Sequence, residues 1–274
     1  MNRKVLLALA VWALTSTARP TSAATVVFGA AKDASIFQNN IDNASGGANG
    51  LIVGTNAQSS SRRAAVVFDV AGYIPAGAVI QSVQLDLVLG GVAGGGGGGG
   101  AADDVTIGLH RLAADWGEGV AQTQSPASDS LGGQGQGAAA ATGDLTWRSN
   151  FHNLSTWTTP GGDFAVTASA TATAGSVLAA LTSWTSSPDL VADVQNWLDN
   201  PAANFGWMLV NADEATANTG RTFFSRNTLT ESLHPQLTVT YATVPEPAAG
   251  VMAGLGVALL GVRAFARRTG TTDR

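Results

Sequence analysis

Six tryptophans, Trp116, Trp147, Trp157, Trp184, Trp197 and Trp207, fall between residues 25 and 243. An indole face stacks well on a sugar ring, so any that reach the surface would suit a carbohydrate platform. Trp197 and Trp207 sit in apolar sequence and read as core. Trp157 stands beside Pro160-Gly161-Gly162-Asp163, whose turn residues place it in a surface loop. Trp157 and Asp163 are therefore the candidate ligand-binding pair, against the plainer reading of Trp157 as an anchor that holds the loop. Asp33, Asp42, Asp163 and the pair Asp103-Asp104 could supply oxygen ligands to a structural Ca2+, but no EF-hand spacing assigns a ligand set, and isolated Asp in Gly/Asn loops usually bonds its own backbone. No metal site is fixed by the sequence.

For catalysis the residues are sparse. There is no Gly-x-Ser-x-Gly elbow and no His-Glu-x-x-His. The three glutamates between 25 and 243, Glu118, Glu214 and Glu231, lie in polar loop contexts, and His234 precedes Pro235 in a strand lead-in. Gly161-Gly162-Asp163-Phe164 echoes a nucleotide-cyclase signature without the Glu that should follow. The reading is a protein without catalytic residues. With no cysteine, disulfide scaffolds, thiolate metal sites and Cys nucleophiles are excluded. Residues 25–243 hold seven basic and seventeen acidic side chains, net −10, which repels phosphate backbones and argues against nucleic acid. The same field disfavours anionic polysaccharide unless a cation bridges it.

Both ends of the chain carry sorting patterns. Arg3 and Lys4 precede the apolar run 5–14, and a polar stretch ends in Ser22-Ala23-Ala24. That is a signal peptide over 1–24, cleaved after Ala24. Its apolar run would span about 15 Å as a helix, half of the ~30 Å hydrocarbon core. At the other end Val244-Pro245-Glu246-Pro247 is followed by an uncharged stretch, then by Arg263, Arg267 and Arg268. Residues 248–266 predict a transmembrane helix about 28 Å long with the arginines on the cytoplasmic side.

The segment between them alternates in short apolar runs. Strands are expected at 25–28, 35–37, 51–53, 64–70, 79–89, 105–112, 145–148, 164–168, 206–210, 221–225 and 236–241. Val83-Gln84-Leu85-Asp86-Leu87-Val88-Leu89 is the clearest case of period two. One helix is expected: Ser187 caps it, Pro188 fits the first turn, and Leu190, Val191, Val194, Trp197 and Leu198 fall on one face before Asn200-Pro201. The fold class is all-β, a jelly-roll β-sandwich with one short helix. The glycines of 94–100 and the Ser/Gly/Gln/Ala-rich stretch 125–143 read as surface loops.

The C-terminal order of motif, helix and arginines resembles the PEP-CTERM sorting signal of Gram-negative bacteria. The resemblance implies export, a transient inner-membrane anchor, processing by an exosortase-type enzyme, and a final place at the cell surface or in the matrix. The segment 25–243 resembles the DNRLRE domain, which groups with carbohydrate-binding modules. The matching residues are Arg63-Ala64-Ala65-Val66-Val67-Phe68-Asp69, Ile74-Pro75-Ala76-Gly77, Val83-Gln84-Leu85-Asp86-Leu87, Trp116, Thr146-Trp147, Trp157 with Gly161-Gly162-Asp163-Phe164, Asp193-Val194-Gln195-Asn196-Trp197, Asn204-Phe205-Gly206-Trp207, Phe223-Phe224-Ser225-Arg226 and Pro235-Gln236-Leu237-Thr238-Val239. It implies a jelly roll that binds or organises extracellular polysaccharide. Asn227 stands where that family often has an acid, and the chain has no basic cluster. The alternatives are a purely structural adhesion or matrix component, and a secreted polysaccharide hydrolase or lyase.

Overall fold

The computed structural model describes residues 23–93, 103–123, 128–131 and 135–243. Ala23–Thr243 forms one compact unit. Among the described residues no helix is long and apolar enough to cross a membrane. Ser22, the expected sorting motif Val244–Pro247, the helix at 248–266 and Arg263, Arg267 and Arg268 lie outside the described residues.

The unit is mostly β, as the alternation requires. Its elements are β1 (Ala23–Gly29), β2 (Lys32–Phe37), β3 (Asn43–Ala44), β4 (Gly50–Thr55), β5 (Ser61–Val67), the single turn α1 (Val70–Tyr73), β6 (Val79–Val92), β7 (Val105–Arg111), β8 (Ala138–Ala139), β9 (Ala170–Ala174), β10 (Leu181–Trp184), α2 (Pro188–Asp199), β11 (Trp207–Asn211), β12 (Arg221–Phe224) and β13 (Gln236–Ala242). Eleven strands form one continuous antiparallel sheet along the path β1-β13-β6-β12-β4-β5-β11-β7-β9, with β10 on β6 and β2 on β5. β3 and β8 form a separate two-stranded ribbon.

The sheet curls because β6 and β5 each serve two neighbourhoods. The first half of β6 pairs with β13 and its far end with β12. β12 then passes the sheet to β4, which meets β5 only at the hairpin, through Gly54–Arg62 and Thr55–Ser61. Val83, Leu85, Leu87 and Leu89 of β6 point inward, as their spacing predicts, and pack in one core with Leu237, Val239, Val66, Leu209, Ile107 and Trp207. A bulge between Thr240 and Tyr241 shifts the phase, so Ile80 rather than the residue next to Val83's register also points inward.

α2 forms where its signals place it. Ser187 Oγ accepts from Leu190 N at 3.0 Å, and Leu190, Val194, Trp197 and Leu198 are buried in the same core. A second core lies on the outer face of β2, β5 and β11. There Ala34, Ile36, Ala65, Val67, Met208 and Val210 are covered by Trp116, Trp147 and Trp157 from the long segment 112–164. β5 is therefore buried on both faces from Ala64 to Val67, which is why that stretch is a continuous apolar run and not an alternating one.

Three strand expectations change, and strands appear that were not expected. Residues 145–148 form a turn closed by Thr146 N to Ser149 O, and 164–168 contribute only a bridge from Phe164 to Leu112. The strand expected to reach residue 70 ends at Val67, because Asp69 caps α1 through Gly72 N. β9 and β10 were not expected: β9 alternates only small Ala and Thr, β10 is four residues long, and long-range pairing with β7 and β6 makes them strands.

Candidate functional site

All six tryptophans among the described residues are interior. Trp157 is 4 % exposed and donates from Nε1 to the Thr146 carbonyl at 3.1 Å. Its indole faces the second core, so the expectation of a surface sugar platform at this residue is corrected to that of a loop anchor. The physical reason is that the outer faces of β5 and β11 are apolar, and the loop tryptophans are what keeps water off them. Asp163 accepts from Thr158 N and Thr159 N at 2.8 and 2.9 Å, which closes the loop that carries Trp157. The pair is thus close in sequence and in space, with Asp163 shaping the turn and Trp157 holding it down.

The expected oxygen ligands for Ca2+ do not converge. Asp42 faces Arg148 at 3.5 Å, Asp163 is committed to its turn, and the Asp103 carbonyl accepts from Arg221 Nη2 at 2.5 Å. Among the described residues no three acidic or imidazole side chains are grouped as a metal site. Ala23 and Ala24 of the expected signal cleavage site lie in β1, opposite Ala242 and Tyr241.

Two of the three glutamates are in ion pairs. Glu214 holds Arg63 through both carboxylate oxygens, at 2.8 and 2.6 Å, while the guanidinium lies over the rings of Trp147 and Phe164. Glu118 accepts Arg226 Nη1 on both oxygens at 3.0 Å and the Asp33 backbone N–H at 2.8 Å. Asp193 on α2 is bound by three donors: Ser169 Oγ at 2.5 Å, Trp207 Nε1 at 2.9 Å and Arg111 Nε at 3.3 Å. That carboxylate sits at the base of a recess of about 410 Å³ with Arg111, Thr167 and Asp189 at its walls. With so many donors on it, Asp193 fits a structural hub better than a nucleophile.

The larger recess, about 600 Å³, opens on the outer face of the strip β4-β12-β6. Its floor is the cross-strand row Ile52, Thr222 and Gly91, and the next row, Leu51, Phe223 and Leu89, points the other way into the core. Asn56, Thr123 and Gln136 bring polar groups, and Leu131, Val92 and Ala93 apolar ones. Arg62 builds one wall. It is 4 % exposed and donates Nε and Nη2 to the Gly135 carbonyl, Nη1 to the Ser60 carbonyl and Nη2 to Asn39 Oδ1. Burial lowers its pKa from the ordinary arginine value. Gly137 can follow this wall because it adopts φ of +63°, and a Cβ there would lie 2.6 Å from the Ala44 carbonyl.

The sequence reading missed this recess. Its residues come from seven separated stretches, and each taken alone is an unremarkable polar or glycine position. The recess can accept hydroxyl groups through amide and hydroxyl side chains and can cover apolar ring faces with Leu131 and Val92, without an aromatic platform. No protein-family model matches the chain, and a search of curated proteins finds no match to it.

Proposed function

We propose that this chain is a non-catalytic, exported protein of the cell surface or extracellular matrix that binds or organises polysaccharide. In this reading the β unit is a jelly roll of the DNRLRE kind. The N-terminal segment engages the export machinery, the C-terminal segment anchors it for a time in the inner membrane, and an exosortase-type enzyme processes it. The observation that carries the binding part is the open recess of about 600 Å³ on the strip β4-β12-β6, with amides, hydroxyls and apolar groups in one lining. A chain of sugar rings needs that combination: donors and acceptors for its hydroxyls and carbon surface for its ring faces. The ligand is neutral, or anionic with Ca2+ as a bridge, because residues 25–243 carry a net charge of −10.

The test is a glycan-binding screen of the 23–243 unit, run with and without Ca2+. Thr222→Trp, which fills the floor of the recess, should abolish retention of any hit while leaving the melting temperature within a few degrees. Retention unchanged in Thr222→Trp would place the ligand elsewhere. A screen without hits would favour the second reading, a purely structural matrix component, which is supported by the burial of all six tryptophans. The sorting part is tested separately: alanines at Pro245, Glu246 and Pro247 should leave unprocessed precursor in the membrane, and normal release would sink it.

A further inference from the structure

One buried charge in this unit lacks the partners that burial demands. Asp33, the second residue of the edge strand β2, is fully buried. Its Oδ2 accepts from the Arg226 backbone N–H at 2.8 Å, and its Oδ1 is buried with no hydrogen-bond partner. The residue sits at a junction of three segments. From the segment after β7, Glu118 accepts the Asp33 backbone N–H and faces the site with a like charge. From the segment after β12 comes Arg226, whose Nη1 donates to both oxygens of Glu118 rather than to Asp33. On β2 itself the neighbouring Lys32 turns to Asp115 at 2.7 Å and to the Trp116 carbonyl. The stretch from Asn43 to Asn49, which packs on the same edge through Ser45 and Ser35, brings no titratable group.

Three ionisable groups therefore meet at this junction: Asp33, which is fully buried, and the part-exposed pair Glu118 and Arg226. An ionised carboxylate with one oxygen unsolvated and unpaired is costly to bury, and a neutral carboxyl much less so. Burial pushes the Asp33 carboxyl up to about 7; Glu118 adds to the rise, and the Arg226 N–H and guanidinium oppose it. The shift agrees with what the geometry alone requires.

We propose that Asp33 is a proton-operated latch, holding the 115–120 and 225–228 segments on β2 while its carboxyl is protonated and loosening them when it ionises. The proton is carried by Asp33 and released to solvent, and no bond other than O–H is made or broken. The segments it clamps run on into Thr123 and out of Thr222, two residues of the larger recess, so the recess is firmest on the acid side of neutrality. The latch itself stands whether or not that recess takes a sugar.

The experiment is an NMR titration of the Asp33 side-chain carboxyl in the 23–243 unit, whose core is drawn wholly from its own residues. It is followed by amide hydrogen exchange of Arg226 and Asn227 from pH 5.5 to 8.5, corrected for intrinsic rates. The expected result is a carboxyl midpoint near 7, with exchange at these amides rising at least tenfold across it. Asp33→Asn should make the corrected exchange independent of pH over that range. Glu118→Gln keeps the carboxyl and removes the like charge, so it should move the midpoint down, and this arm stands if Asp33→Asn does not fold. A midpoint near 4, or exchange profiles that coincide in wild type and Asp33→Asn, overturns the latch. A glycan screen without hits would leave both of these readouts untouched.

Discussion

Trp197 and Trp207 give a matched pair in which the same substitution should have opposite worth. Their rings meet edge to face at 4.4 Å between centroids, and both are buried, at 1 % and 0 % exposure. They differ at one atom. Trp207 Nε1 donates to Asp193 Oδ2 at 2.9 Å, whereas Trp197 Nε1 is buried with no acceptor. Phenylalanine at either site keeps most of the apolar body and loses about 1–2 kcal/mol of packing, as for a modest large-to-small core change. At Trp197 it also removes an orphan donor that costs about 1–3 kcal/mol, so Trp197→Phe should lie within about 1 kcal/mol of wild type or above it. At Trp207 it instead removes a hydrogen bond to a charged acceptor, worth about 1.5–3 kcal/mol, so Trp207→Phe should lose about 3–5 kcal/mol. Trp197→Ala, which leaves a cavity, should lose about 3–5 kcal/mol. Urea denaturation followed by circular dichroism measures all three against wild type. If Trp197→Phe costs as much as Trp207→Phe, the orphan-donor argument is wrong and the two indoles are equivalent.

Asp33 makes stability fall with rising pH. Its folded value of about 7 lies above the ordinary 3.8, so between the two the folded state keeps a proton that the unfolded state has lost. The deficit begins near pH 4, is complete above 7 and reaches about 4 kcal/mol; Asp33→Asn should abolish it, gaining about 2.5 kcal/mol on wild type between pH 5 and pH 8 in urea melts, and a gain that does not change with pH would refute the linkage. Asp163→Ala should expose the amides of Thr158 and Thr159 to exchange and cost about 1–2 kcal/mol, since it removes both acceptors of the turn over Trp157; unchanged exchange at those amides would show that the turn closes without it. Gly206→Ala should lose more than about 2 kcal/mol, because φ is +77° and a Cβ would lie 2.0 Å from the Val66 carbonyl; a melting point within a degree of wild type would contradict that backbone geometry.

What could be read from the chain was set by how far each signal reaches. β6 was legible because Val83 to Leu89 alternate within one strand, and α2 because Ser187, Pro188 and its apolar face are local. β9 and β10 were not, because their Ala, Thr and Ser residues become strands only through partners in β7 and β6. The tryptophans show the same limit in a more instructive way. Turn residues around Trp157 correctly mark a loop, yet a loop over an apolar sheet face is interior, and the sign of that face is written in Ala65, Val67, Met208 and Val210. The continuous apolar run Ala64-Ala65-Val66-Val67-Phe68 held the clue: a strand that never alternates has no wet face, so something must cover its second side. With twelve per cent charged residues, the chain has few charged groups, and among the described ones Glu118, Glu214 and Asp193 tie long segments down. That economy is why Trp157 and Asp163 hold a loop in place, and why the recess is lined by residues that carry no motif at all.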